Sequence, residues 1–588
     1  MQDKKVSFGR IFWPSLTASI IVLVLVATII SIIIGGLISS APTYSVGQKA
    51  VLHMKLKGNI GEISKANLNT NTLSFEDKFG LADILYGLEK GSNDDRVKGL
   101  FIELEGSNFG YATAKEIRDA INRFEASGKF VVAYNGGEAI NLKEYYIASA
   151  ADEVYGFHSS VIEFLGLGTE LVFFKGMFDK LDLEMQVIRG SNNDFKSAVE
   201  PFFRKEMSDS SRLQLQRYLS SIWSDIREDI GKERNIDVKT LDMYADSGLI
   251  RRVSQASEYG LINEMLYRDE VMTLIAEKIG VKSIDKINLK GFKKYAQEKF
   301  SNDQKIARGK NANIAVIVAE GDVIVEGDGL SSKNITKLIQ TARKDEHIKT
   351  IVLRINSPGG SALASDEIWR EVKLANEEKK VIVSMGDVAA SGGYYIATPA
   401  DRIFAESTTI TGSIGVFGVI PFTGDMLENK IGLTFDRVST NKHAVMSTNR
   451  KLTDKEYSII QEEVDLIYDD FLERVAEGRG MTVKEVNAVA RGRVWTGKDA
   501  LKVGLIDEIG GLQAAIDYAA MNAGIKNQII EYFPHVKKEA WIEIIESLEG
   551  EKNTNVSLPQ EISILYKHIK SIENMNGVQA RLPYIINW

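Results

Sequence analysis

The chain repeats itself once, and an internal repeat limits the possible folds more than any local pattern, because one arrangement of strands and helices must serve both copies. Asp94 to Leu104 (DDRVKGLFIEL) parallels Asp345 to Ile355 (DEHIKTIVLRI), each a polar lead-in followed by an apolar run. Glu144 to Asp152 matches Gly393 to Asp401 through a shared Tyr-Tyr-Ile-Ala, 249 positions later. Ala256 to Glu264 (ASEYGLINE) then matches Ala500 to Glu508 (ALKVGLIDE), so the copies stay close to register over about 165 residues.

Within each copy, short apolar runs (97–104 and 130–133; 350–355 and 381–385) alternate with amphipathic stretches at 112–126 and 364–378. A repeating β-then-α order needs crossover connections, so the expected class is α/β with mainly parallel sheets covered by helices. At 588 residues the chain has room for several domains. The expected division is an N-terminal domain over 48–290, a charged connector over 291–312, a C-terminal domain over 313–525 and an α-rich extension over 526–588.

Ahead of the repeat, no residue from Ile11 to Gln48 is charged, and Ile20 to Ile34 is almost wholly Ile, Val and Leu. The apolar stretch exceeds the roughly 7 to 15 residues of a signal peptide and matches the roughly 20 that cross a bilayer. The sequence therefore predicts a transmembrane anchor over 16–40 behind a short tail, 1–15. Lys4, Lys5 and Arg10 precede the span and the first basic residue after it is Lys49, which places the tail in the cytoplasm and the rest on the far side.

Composition narrows the chemistry. With no cysteine, thiolate zinc sites, iron–sulfur clusters, cysteine nucleophiles and disulfides are excluded. The six histidines stand at 53, 158, 347, 443, 535 and 568, none at ligand spacing from another, so a histidine-built metal centre is not expected. The formal charge is −8 and no basic stripe alternates with aromatics, which argues against a nucleic-acid partner.

The copies differ most at two glycine-rich turns that only the second possesses. Asn356 to Gly360 (NSPGG) follows the run 350–355, and Gly386 to Gly393 (GDVAASGG) follows 381–385. Glycines admit close approach to the main chain, and N–H groups at a helix start can stabilise a developing oxyanion. Ser391 could simply cap the helix that follows, since serine is a favoured N-cap. Against this, the aligned Leu142-Lys143-Glu144 of the first copy replaces Ser391-Gly392-Gly393 while the tyrosines persist. The fold needs the tyrosines; Ser-Gly-Gly serves something else, and a nucleophile fits. Its base could be His347 or His443 brought close in space, or a lysine neutralised by burial. Lys196 and Lys442 occupy equivalent places in the two copies, and both remain candidates at this level.

NSPGG at 356–360, GDVAASGGYY at 386–395, TGSIGV at 411–416, GRVWTG at 492–497, GLID at 504–507 and KSAVEP at 196–201 closely resemble the signal peptide peptidase A family in its long, tandem-domain, membrane-anchored form. The resemblance covers nearly the whole chain. It implies two tandem α/β spiral domains of the crotonase and Clp-protease type and a Ser/Lys dyad that hydrolyses peptide bonds. In the long form the lysine comes from the first copy and the serine from the second, which implies Ser391 as nucleophile and Lys196 as general base. Lys442, 51 residues after Ser391 as in single-copy relatives, would instead face a neighbouring subunit's first copy, where Leu142 has replaced the nucleophile. By the same resemblance the N–H groups of Gly360 and Gly392 form the oxyanion hole, Ser413 orients the lysine amine, and no metal or organic cofactor is needed. The implied setting is a homotetramer in the bacterial inner membrane, its domains on the periplasmic side, degrading cleaved signal peptides and other unfolded apolar peptides. A crotonase-like acyl-thioester enzyme fits the anchor and Ser391 less well, and a catalytically silent membrane scaffold does not explain an intact Ser391 and Lys196.

Overall fold

Runs of Val, Ile and Leu without polar alternation must be buried on both faces at once, and each copy uses them as inner strands of a parallel sheet. The computed structural model describes residues 46–69, 74–297, 306–308, 311–327, 329–534 and 578–581. The elements below lie in one unit made of residues 48–536 and 556–588.

In the first copy the sheet runs Glu264–Met265, Glu153–Gly156, Phe130–Asn135, Val97–Asn108, Ala50–Asn59, Asn288–Gly291, every pair parallel. In the second, the main path reads Glu508–Ile509, Arg402–Ala405, Val381–Ala390, Thr350–Ser357, Ile314–Glu320, Gln528–Phe533 and Ile306–Arg308, again parallel throughout. The first six strands of each path correspond one to one, so the repeat in sequence is a repeat in topology. Helices Tyr111–Ala126 and Ala362–Glu378 fall at the two expected amphipathic stretches.

The residues shared by the copies make the same bonds. Tyr145 donates its hydroxyl to Leu261 O at 2.6 Å and Tyr394 donates to Leu505 O at 2.7 Å. Asn263 Oδ1 accepts from Val154 N at 2.9 Å, and Asp507 Oδ2 accepts from Ile403 N at 2.8 Å. A buried carbonyl or amide must be paired somewhere, so these positions persist for structural reasons.

Three features depart from the sequence reading. The strand expected to end at Met385 continues to Ala390, because Val388, Ala389 and Ala390 pair with Ile410–Gly412. The turn therefore shrinks to Ser391 itself. Second, the lysine-rich connector begins with the short helix Phe292–Gln297, whose Phe292, Tyr295 and Ala296 are buried against the first copy; Lys90 Nζ donates to Tyr295 O and Tyr295 donates to Asp94 Oδ2 at 3.0 Å. Apolar residues at i, i+3 and i+4 are enough for one buried helical face despite the flanking charge. Third, the described parts of the C-terminal extension are strands, Gln528–Phe533 and Val578–Arg581.

A third sheet joins the copies. Its order is Leu330–Ser331, Val323–Ile324, Gly359–Ser361, Val578–Arg581, Phe417–Phe422, Glu184–Arg189, and the last strand comes from the first copy, antiparallel to Phe417–Phe422. The seam is also polar. Arg354, fully buried, donates to Glu62 at 2.8 Å and Glu116 at 2.6 Å, both first-copy carboxylates. Asp387, within the glycine-rich motif, accepts from Gly110 N at 3.2 Å, Thr113 N at 2.8 Å and Thr113 Oγ1 at 2.7 Å. A second-copy carboxylate thus caps the first-copy helix Tyr111–Ala126, whose own N-cap is a glycine with no side chain to do so.

Among the described residues no helix is long and apolar enough to cross a membrane. The anchor expected over 16–40 lies outside the described residues.

Candidate active site

Ser391 stands between the end of the fully buried strand Val381–Ala390 and the four-residue helix Gly392–Tyr395. Its φ is +55° and ψ −116°, a region a side-chain-bearing residue adopts only at a cost of about 1–3 kcal/mol. Three contacts hold it there: Ser391 N donates to Gly412 O at 2.8 Å, Tyr395 N donates to Ser391 O at 2.8 Å, and Gly393 is pressed so close to Ser357 that an added Cβ would come 2.6 Å from its carbonyl oxygen. The side chain makes no capping bond to the helix, so helix capping does not explain this serine.

Its partner arrives from the first copy. Strand Glu184–Arg189, held in the composite sheet, leads through a tight turn to Lys196, where Asn193 O accepts from Lys196 N at 3.1 Å. Lys196 has no exposed surface. Its Nζ donates to Ser391 Oγ at 2.8 Å, to Ser413 O at 2.9 Å and to Ser413 Oγ at 3.0 Å. Burial alone pushes the amine well below its ordinary lysine value. An amine so placed is available unprotonated, and a neutral amine 2.8 Å from a hydroxyl can take its proton.

Residues 491–493 clamp this junction. Arg491 O accepts from Phe195 N at 3.0 Å, Gly492 N donates to Ile414 O at 2.7 Å, and Arg493 O accepts from Ser413 N at 2.7 Å. Gly492, at φ +78°, lies against Lys196 so tightly that a Cβ would come 2.5 Å from the lysine's N and Cβ atoms. Gln214 adds a second tie: its Nε2 donates to Phe195 O at 3.1 Å and Ser197 Oγ at 2.8 Å, while its Oε1 accepts from Val494 N at 3.3 Å.

The two predicted amide donors flank the serine. Gly360 lies in Gly359–Ser361, the strand just beyond Ser357, and Gly392 opens the helix after Ser391, where first-turn N–H groups have no intrahelical acceptor. Ser413, at φ +50°, meets the lysine through both its carbonyl and its hydroxyl. Lys442 is exposed, in an irregular stretch following the short helical turn Leu427–Ile431. His347 bonds Asp345 and His443 bonds Glu456, so neither histidine is directed at Ser391.

The chemistry of Asp387, Gln214 and Arg354 was not visible beforehand. Asp387 lies inside GDVAASGGYY and Gly492 opens GRVWTG, signals that mark the place without the role. Gln214 and Arg354 carried no signal, because their partners are 280 and 292 positions away at their furthest.

The model of Peptidase family S49 matches residues 123–282 and 373–526, one segment in each copy, and that of Clp protease matches residues 314–419. "Serine protease SPPA, chloroplastic" of Arabidopsis thaliana is 32% identical over 565 residues, spanning 93% of this chain and 79% of that one. "Protease 4" of Haemophilus influenzae is 31% identical over 538 residues, spanning 87% and 85%. "Protease 4" of Salmonella typhi is 32% identical over 468 residues, spanning 77% and 74%.

Proposed function

The chain belongs to Peptidase family S49 and is a serine protease with tandem domains of Clp-protease-like α/β fold, and from that premise we propose that Ser391 is its nucleophile and Lys196 its general base. The observation that carries the reading is the 2.8 Å contact between a fully buried lysine amine from one copy and a backbone-strained serine hydroxyl from the other.

Neutral Lys196 takes the hydroxyl proton as Ser391 Oγ attacks the scissile carbonyl carbon. The amides of Gly360 and Gly392 receive the oxyanion, and Ser413 directs the remaining amine geometry. Lys196 then hands its proton to the leaving amine, and a water deprotonated by the same amine releases the acyl group. Among the described residues no carboxylate bonds Lys196, and this matters: an Asp or Glu beside it would favour the ammonium and silence the base.

The substrates in this reading are extended, unfolded apolar peptides, chiefly signal peptides cleaved from exported precursors. Support comes from the groove bounded by Gly359–Ser361 and Phe417–Phe422, whose backbones are arranged to pair with an extended chain. The uncharged stretch 16–40 would tether the enzyme in the bacterial inner membrane, with the domains on the periplasmic face and the chain assembled as a homotetramer.

The test is hydrolysis of a fluorogenic apolar peptide by the detergent-solubilised full chain across pH 6 to 10. The expected profile is an ascending limb centred well below the value of about 10.4 for a free lysine, because activity appears as the amine loses its proton and burial lowers the pH at which that happens. A flat profile, or hydrolysis that survives Ser391→Ala, would overturn the assignment.

A further inference from the structure

Where two strands of a sheet fall out of step, the unpaired main chain needs a bonding partner, and whatever supplies it fixes where each strand goes next. Strands Thr350–Ser357 and Val381–Ala390 fall out of step beside the site: Ile355 faces Met385, Ser357 faces Ala389, and Asn356 alone stands against Gly386, Asp387 and Val388. Both arms of the site leave from this bulge. Ser391 follows Val388 by three residues, and Gly360 follows Asn356 by four.

One side chain spans the bulge, and the first copy sets its direction. Asn356 Oδ1 accepts from Val388 N at 3.2 Å, and Asn356 Nδ2 donates to Glu62 Oε1 at 2.8 Å. The other Glu62 oxygen accepts from Arg354 Nε at 2.8 Å. Gly386 lies so close that an added Cβ would come 2.6 Å from Glu62 Oε1. Glu62 is buried and is held by its own copy, where its carbonyl accepts from Ala82 N at 3.0 Å. A carboxylate only accepts, so a primary amide facing it has to turn its nitrogen that way, which leaves the amide oxygen for Val388 N. Without that acceptor the amide is free to turn over and set donor against donor. The copy that lacks the serine has no such link: there the aligned Glu105 turns to Lys55 and Lys57, at 3.0 and 3.3 Å.

We propose that Glu62 is a positioning residue for the reaction, acting from the first copy through Asn356 to hold the bulge at 386–388, and with it Ser391 and the Gly360 amide, in the working geometry. The proposal rests on the reading of Ser391 and Lys196 given above. The first copy then supplies two things across the seam, the base and the brace of the nucleophile's strand. The carboxylate form suits both bonds, since its oxygens accept and nothing on it donates. Burial, opposed by Arg354 and reinforced by Glu116 and Glu320, pushes the Glu62 carboxyl up to about 7, so the test is read at pH 9, where the group is ionised.

The test is hydrolysis of a fluorogenic apolar peptide by the detergent-solubilised full chain, with the folded fraction of each variant read by circular dichroism. Glu62→Gln keeps shape and volume. Its amide oxygen faces Arg354 and its NH2 faces Asn356, whose own amide must then turn over and meet Val388 N as a donor. The expected loss is about 10- to 10²-fold in kcat with little change in KM, the size of a small misplacement of reacting groups. Asn356→Ala, which cuts the link and leaves the Glu62–Arg354 pair whole, is expected to lose as much. Adding Asn356→Asp to Glu62→Gln restores the link, one new oxygen accepting from the introduced amide and the other from Val388 N, and is expected to return kcat to within several-fold of wild type. A double variant no faster than Glu62→Gln assigns the loss to the missing charge and overturns the proposal. So does wild-type kcat in the folded fraction of Glu62→Gln or Asn356→Ala, which leaves Glu62 a role in stability only. Either result, with hydrolysis still abolished by Ser391→Ala, keeps the assignment of Ser391 standing. Hydrolysis that survives Ser391→Ala brings down that assignment, and the proposal with it.

Discussion

The same strand-to-helix turn is built twice in this molecule, once to be stable and once to be strained. In the first copy Asn141 caps helix Leu142–Ala148 in a capping box with Glu144, and Leu142 is buried where the other copy has its serine. The Glu144 carboxylate also accepts from Gly106 N at 3.1 Å, Ser107 N at 2.7 Å and Ser107 Oγ at 2.9 Å, so the amides at the neighbouring strand end are filled from within. Lys143, next to Leu142, donates to Phe109 O at 2.9 Å, and burial pushes its amine down to about 8. In the second copy Gly392 and Gly393 replace that lysine and carboxylate, the helix has no cap, and Ser391 sits at φ +55°. Every local rule obeyed at 141–144 is broken at 391–393. Local rules are broken where function requires it, and the stability lost there is supplied by the surrounding sheet.

The comparison can be broken at several depths. Ser391→Leu, which writes the first-copy residue into the second, is expected to lower peptide hydrolysis by about 10⁴-fold or more, as removal of a nucleophile does. Lys196→Met should match it, whereas Lys442→Met should keep near wild-type turnover; the two lysines traded in this outcome would refute the cross-copy pairing. Leu142→Ser in the Ser391→Ala background should restore nothing, because Glu144 still fills the strand-end amides. Arg354→Ala tests the seam. It strands Glu62 and Glu116 without a counter-charge, and the expected loss is about 3–5 kcal/mol of stability, read from denaturant unfolding. Gly492→Ala asks how finely the lysine is placed. Its Cβ must push Lys196 aside, and a displacement of that kind is expected to cost about 10²-fold in kcat with little change in KM. Tyr145→Phe and Tyr394→Phe should each cost about 1 kcal/mol, equally in both copies, since each deletes one equivalent buried hydrogen bond. Unequal losses would show that the tyrosines serve the site and not the fold.

Much of this was legible in the chain. The repeat foretold two sheets of like order, the strand and helix ranges followed from apolar periodicity, and the contrast of Ser391 with Leu142 singled out the serine. Lys196 is brought within hydrogen-bonding distance of both Ser391 and Ser413 across the copies. Less legible were the end of the strand at Ala390 and the buried helix inside the charged connector, because pairing with Ile410–Gly412 and packing against Gly87, Lys90 and Asp94 are tertiary contacts outside the local pattern. Asp387 could be seen as part of a motif, yet its service as a cap for the other copy's helix depends on a contact 274 positions away.

Periodicity and the repeat are properties of neighbours in sequence, so the amino-acid order by itself determined the α/β class, the duplicated topology and the copy that kept its serine. Which lysine meets that serine, and whether its amine is dry, depend on groups 195 or more positions apart. Those were decided only by the tertiary structure, because desolvation and hydrogen-bond distance exist only once the two copies have closed on each other.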